Sequence, residues 1–189
     1  MNKKNINLIN ELTKDIIDIY MIEIPIKDMN NVIDKMGGII KKDNSLSKFS
    51  ESYIRKLKRN NYEFEIVIPY DQSNHICNMH IAKVLGHLFL HMRYNIDREV
   101  WNSQKINEFY KSKNLQEEEQ AKEFALALLM PKSEFELIEE NDVINIDKVS
   151  KYFNVNQRDS LNRVYSLGYI KKIIVIKRCF LKSTFFISC

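Results

Sequence analysis

Three histidines and a lysine follow one another at helical spacing in the middle of the chain. His80, Lys83, His87 and His91 lie along one side of a helix predicted over residues 79–92, beside a separate apolar stripe. Histidines four residues apart present both imidazoles on one helix face, which is an arrangement that binds metal ions. Histidines on a partly buried helix are more often hydrogen-bonded structural groups, so the spacing alone leaves both interpretations open.

Two segments of the chain form recognisable motifs: residues 82–91 run AKVLGHLFLH, and residues 118–131 run EEQAKEFALALLMP. They resemble the motifs of the ImmA/IrrE family of metallopeptidases, of which the first usually runs A-H-E-L-G-H-x-L-L-H and the second E-x-x-A-N-x-F-A-x-x-L-L-M-P. The resemblance continues in the right order over residues 28–170, which distinguishes it from a chance match to one motif.

The resemblance also indicates what this chain has lost. In the family, two histidines and a glutamate from a second helix bind zinc, and a glutamate beside the first histidine acts as general base. His87 matches the second histidine and Glu118 the carboxylate ligand, but Lys83 and Val84 stand at the first ligand and the base. An ammonium group repels a divalent cation and valine cannot move a proton, so we expect zinc-dependent hydrolysis to be absent.

We expect the Lys83 ammonium to replace the metal, beside a buried Glu118 carboxylate and within one helical turn of His87. The predicted binding cleft comprises Lys83, His87, His91 and Glu118. No cofactor is expected. If zinc does bind, its ligands would come from His87, His91, Glu118 and His80. The acidic run 117–119 also suits a helix N-terminus through the helix dipole, so the assignment of Glu118 rests on the family spacing.

Apolar periodicity predicts the elements that position these residues. Helices are expected over residues 4–20, 28–36, 79–92, 97–110, 116–130 and 133–139, and a hairpin over 53–57 and 62–68. The fold class is α+β, with a small twisted sheet from residues 38–68 packed on a helical bundle whose central helices span 78–93 and 116–130. The resemblance implies a zincin-like domain over residues 1–131, followed by a C-terminal helical subdomain and terminal strand over 132–189.

The C-terminal part is similar to a helix-turn-helix, with two short helices between residues 146 and 168 and a strand over 169–177. One interpretation is DNA binding by polar side chains, namely Asn156, Gln157, Arg158, Asn162 and Arg163. The favoured interpretation is packing on the core, because the 29 basic and 25 acidic residues are scattered and form no basic block. A nucleic-acid partner is therefore not expected.

Composition also restricts the setting of the protein. Three cysteines, Cys77, Cys179 and Cys189, form no metal-type pair, and the N-terminus has no apolar signal core, so a reducing cytoplasm is expected. Lysines and an arginine interrupt the apolar stretch 170–187, so no membrane segment is expected. Cys77 precedes the histidine cluster, with His75 and His80 as conceivable bases, but inert packing is the favoured role.

The resemblance implies an ancestral role in cleaving or engaging phage-type or Xre-type repressors of mobile elements and stress responses. We therefore expect a pseudoenzyme that binds a regulatory protein, a helix-turn-helix repressor, without cutting it. Two alternatives remain, since a fold does not determine a function. One is an active, divergent zinc metallopeptidase, and the other is a DNA-binding or toxin-like protein that acts through its C-terminal segment.

Overall fold

The computed structural model describes residues 1–47, 50–59, 61–70, 74–138, 144–169 and 173–174. These residues form the predicted α+β fold. The helices are α1 (Lys3–Ile19), α2 (Met29–Lys35), α3 (Asn74–Leu90), α4 (Arg98–Ser103), α5 (Leu115–Leu129), α6 (Lys132–Ile138), α7 (Ile146–Tyr152) and α8 (Gln157–Ser166). The strands are β1 (Gly38–Asp43), β2 (Tyr53–Arg59), β3 (Tyr62–Pro69), β4 (Ile144–Asn145) and β5 (Ile173–Ile174).

The larger sheet contains three strands in the order β1-β3-β2. β3 is antiparallel to β2, which confirms the predicted hairpin, and it is parallel to β1. Phe64, Ile66 and Ile68 of β3 are buried among the helices, as their alternation predicted. α2 leads into this sheet through Gly37, whose φ of 80° provides the predicted left-handed turn.

The two central helices, α3 and α5, approach each other closely at one point. A Cβ atom on Gly86 of α3 would lie 2.8 Å from both the Cα and the carbonyl oxygen of Ala121. Only glycine therefore fits at residue 86 without moving a helix. This contact lies one residue before His87 and three after Lys83, so it brings both side chains next to the first turn of α5.

The helix predicted over residues 97–110 is wrong in its second half, because α4 ends at Ser103. Lys56 of β2 donates from Nζ to the carbonyl oxygens of Trp101, at 2.9 Å, and Asn102, at 3.3 Å. A longer helix would use those carbonyls for its own hydrogen bonds. The following segment runs beside β2 instead, where the Tyr110 amide donates to the Ile54 carbonyl at 2.8 Å.

The C-terminal helices α7 and α8 form the predicted pair and continue the main hydrophobic core. Phe135, Val149, Phe153 and Val164 are buried in the same cluster as the sheet and α5. Apolar side chains from both sides of residue 131 belong to this one cluster. The domain boundary proposed at that residue therefore remains a prediction. β5 pairs in parallel with β4, and the tail 179–189 and most of the predicted strand 169–177 lie outside the described residues.

In the part of the chain that the structure describes, none of the helices has both the length and the apolar character needed to cross a membrane.

Candidate binding cleft

A cleft of about 600 Å³ lies between β2, α3 and the start of α5. Its α3 side is formed by His80, Lys83, Val84 and His87. Residues 51–54, at the start of β2, also line it. Residues 110–114, which continue from the segment beside β2, and Glu118 complete the lining.

The predicted ion pair between Lys83 and Glu118 is present in this cleft. Lys83 Nζ lies 2.7 Å from Glu118 Oε2 and 3.5 Å from Oε1 of Glu51, which the sequence did not suggest. Glu118 was expected to be buried, and this is wrong, because one third of its side chain is exposed at the mouth of the cleft. The carboxylate thus contacts both the ammonium and solvent.

The charges of this pair keep both groups ionised. Burial disfavours the Lys83 ammonium, but the hydrogen bond and charge of Glu118, with the charge of Glu51, raise its pKa above the ordinary value. Burial likewise disfavours the Glu118 carboxylate, but the hydrogen bond and charge of Lys83 lower its pKa. The two ionised groups therefore neutralise each other's charge across this contact.

The two histidines extend this contact into a chain of polar groups. His87 Nε2 lies 3.3 Å from Glu118 Oε1, and His87 Nδ1 lies 3.1 Å from His91 Nδ1. His91 Nε2 in turn lies 3.1 Å from the side-chain oxygen Oε1 of Gln120, which is an acceptor. With neutral imidazoles, His91 therefore donates from Nε2 to Gln120 and His87 donates from Nδ1 to His91, which leaves His87 Nε2 without a proton for Glu118.

His87 is held neutral by its surroundings. Only 8% of its side chain is exposed, and this burial lowers its pKa to about 4, assisted by the charge of Lys83 and opposed by that of Glu118. Below the ordinary histidine pKa of about 6.5, the unfolded chain therefore takes up a proton that the folded chain excludes.

We expect His87 to make folding pH-dependent. Because the pKa of His87 is depressed in the folded state, its contribution to the free energy of unfolding is complete above pH ~6.5. This contribution, on the order of 3 kcal/mol, is lost as the pH falls toward ~4. Urea unfolding at a series of pH values, for the wild type and His87→Gln, measures this directly. An equally steep loss of stability in His87→Gln between these pH values would assign the effect to other groups.

The Tyr110 ring lies against the rings of both His87 and His91. It lies nearly parallel to the ring of His91, at an angle of 7° and a centroid distance of 6.3 Å. Its hydroxyl donates to Glu117 Oε2 at 2.8 Å, and the same oxygen accepts the Lys113 amide at 2.8 Å. The three glutamates at residues 117–119 therefore differ in role, because Glu117 fixes the wall and Glu118 faces Lys83.

His80 lies in the cleft but takes no part in the histidine chain. Its Nδ1 is buried and has no hydrogen-bond partner among the described residues, and burial lowers its pKa. Cys77, one turn earlier, lies outside the residues that line the cleft, and burial raises the pKa of its thiol. This opposes a nucleophilic role, which needs a thiolate. The His75 side chain lies outside the described residues.

The donor atoms do not fit a zinc ion of the family type. Zinc needs three protein ligands that converge at about 2.0–2.3 Å. The Lys83 ammonium instead contacts the Glu118 carboxylate, and His87 and His91 direct their Nδ1 atoms at each other. Across the described ranges, no group of three or more His, Cys, Asp or Glu side chains is arranged to hold a metal ion.

Arg163 does not face a DNA groove, so that part of the DNA-binding interpretation is wrong. The side chain is 0% exposed, and it donates to the Met130 carbonyl and to Glu123 Oε1, each at 2.9 Å, and to Asn10 Oδ1. These bonds tie α8 to α1 and α5. Arg158, on the same helix, is exposed.

Comparison with known families agrees with this arrangement of elements. Residues 65–158 match the model of the family described as the IrrE N-terminal-like domain. The match contains α3 and α5 with both motifs, and extends through α7 to the start of α8. No curated protein matches the chain. The chain therefore belongs to the ImmA/IrrE family and carries its IrrE N-terminal-like domain over residues 65–158.

Proposed function

We propose that this protein is a catalytically degenerate member of its family that binds a regulatory protein in the cleft without cleaving it. The observation that supports this most directly is the 2.7 Å contact between Lys83 Nζ and Glu118 Oε2. The family resemblance indicates the kind of partner, a helix-turn-helix repressor of phage or Xre type. We further propose that binding needs no metal and takes place in the cytoplasm.

The chemistry of peptide hydrolysis explains why this contact matters. A metallopeptidase needs a Lewis acid that activates water and a base that accepts the water proton. A zinc ion at Glu118 would have to displace an ammonium group that already neutralises the carboxylate. Val84, a buried residue that lines the cleft next to Lys83, has no group that accepts a proton.

The cleft itself supports retained binding. Its volume of about 600 Å³ is within the usual range of ligand pockets, and the Tyr110 and Glu117 contacts hold one wall in place. An ion pair that fills the former metal position therefore abolishes the chemistry and preserves the shape. A groove that once positioned a substrate can then serve as a recognition surface.

The test uses the full chain and a helix-turn-helix repressor of the phage or Xre type. We expect the two to co-elute in size-exclusion chromatography in EDTA, and the repressor to stay intact by mass spectrometry after long incubation with added zinc. A cleavage fragment of the repressor that forms with the wild type but not with His87→Ala would establish the divergent metallopeptidase instead. Salt-sensitive DNA retention lost with Arg158→Ala, without a repressor complex, would establish the DNA-binding alternative.

A further inference from the structure

We infer that the cleft recognises a carboxylate group of its partner, an Asp or Glu side chain on an inserted polypeptide segment, and that Lys83 binds it. This inference rests on the proposed function, because it names what the bound protein presents to the cleft. It assigns Lys83 a positive role in recognition, beyond its part in excluding a metal ion.

The hydrogen-bonding capacity of Lys83 is the first argument. An ammonium group has three N–H donors. Glu118 accepts one at 2.7 Å, whereas Glu51 lies 3.5 Å away, at the limit of a hydrogen bond. The Lys83 side chain is 27% exposed and lines the cleft. Donor capacity therefore remains for an oxygen atom that enters the cleft.

Glu51 is the second argument, because it marks where a carboxylate of the partner would sit. Its side chain is 74% exposed and belongs to the segment that leads into β2. An exposed ion pair of this kind contributes little to stability, so its replacement costs little. A carboxylate held at the usual charge-assisted distance of about 2.7–2.9 Å would bind Lys83 better than Glu51 does.

Unsatisfied polar atoms are the third argument. Ser52 Oγ and His80 Nδ1 are both buried, and neither has a hydrogen-bond partner within the described ranges. Both residues line the cleft with Lys83. Buried polar groups in proteins are nearly always hydrogen-bonded, so a polar ligand satisfies this cleft better than an apolar one.

The charge of the cleft walls is the fourth argument. Lys111 and Lys113 also line the cleft, and both are exposed. The lining residues therefore carry three lysines, Lys83 included, against the two carboxylates of Glu51 and Glu118. This excess of positive charge favours an acidic segment over a basic one.

The test is a selection of displayed random linear peptides on the immobilised full chain in EDTA. We expect an acidic residue to be enriched at one position of the selected peptides. Lys83→Met should lower the affinity for such a peptide by about ten- to hundredfold, and Lys83→Arg should restore part of the loss. Glu51→Gln should raise the affinity by about two- to fivefold, because it removes the internal competitor. Lys122→Met, an exposed lysine change on α5, is the matched control and should leave the affinity unchanged.

Two results would overturn the inference. One is a set of selected peptides without acidic enrichment, or none at all, and the other is equal binding by the wild type and Lys83→Met with both folded by circular dichroism. Neither result decides the proposed function, which fails separately if the repressor forms no complex with the wild type. A repressor complex that Lys83→Met leaves unchanged would likewise retain the proposed function and exclude the carboxylate site.

Discussion

Replacing Arg163 with alanine should lower the free energy of unfolding by about 3–5 kcal/mol. The change leaves the Glu123 carboxylate, which is only 8% exposed, without its cationic partner, and it removes the donor to the Met130 carbonyl. Urea unfolding followed by circular dichroism measures the loss. Arg158→Ala, on the exposed side of the same helix, should change stability by no more than about 0.5 kcal/mol.

Removing the charges of Arg163 and Glu123 together should lower the free energy of unfolding much less than removing the charge of Arg163 alone. Burial lowers the pKa of Arg163 to about 10 and raises the pKa of Glu123, so desolvation disfavours both charged forms. We therefore expect Arg163→Met combined with Glu123→Leu to be more stable than Arg163→Ala. A single Arg163→Ala variant as stable as Arg158→Ala would show that the guanidinium is not buried between α8 and α5.

Introducing a histidine at residue 83 should create a zinc site. In Lys83→His, two histidines four residues apart face Glu118, which already lies 3.3 Å from His87, and the competing ammonium is gone. We expect one zinc ion per chain after dialysis, and a gain in unfolding free energy of about 2.7 kcal/mol at a zinc concentration one hundred times the Kd. Elemental analysis and thermal unfolding with and without zinc measure the two effects.

Lys83→Gln is the matched control, since it removes the charge and supplies no comparable ligand, and it should bind no stoichiometric zinc. Adding Val84→Glu to Lys83→His should reduce stability without zinc, because it buries a carboxylate. It also supplies the missing base, so any peptide cleavage should need both changes. If Lys83→His took up no zinc, Glu118 and His87 would not be remnants of a metal site.

Local sequence signals were sufficient where an element depends on its own residues. The apolar spacing of α1, α3 and α5 and the alternation in β3 placed these elements within a few residues of their observed limits, although α3 begins five residues early. The close spacing of Lys83, His87 and Glu118 was predicted from the family resemblance, and the structure adds that Gly86 permits the close approach of the two helices.

Features that depend on distant residues could not be found in this way. Residues 104–110 have apolar spacing that mimics a helix, and the side chain that ends α4 is Lys56 of a remote strand. Tyr110 and Glu51 were missed as cleft residues for the same reason. Arg163 has polar neighbours that suit either a DNA-facing or a packed helix, and only its pairing with Glu123 in α5 distinguishes the two.

The most direct test of the proposal that the Lys83 ammonium stands in place of a metal ion is a crystal structure of the wild-type protein soaked in zinc, with anomalous data at the zinc edge. We expect the Lys83 ammonium to remain on the Glu118 carboxylate, with no anomalous peak beside His87. A fully occupied tetrahedral zinc ion bound to His87, with Lys83 turned away, would contradict it.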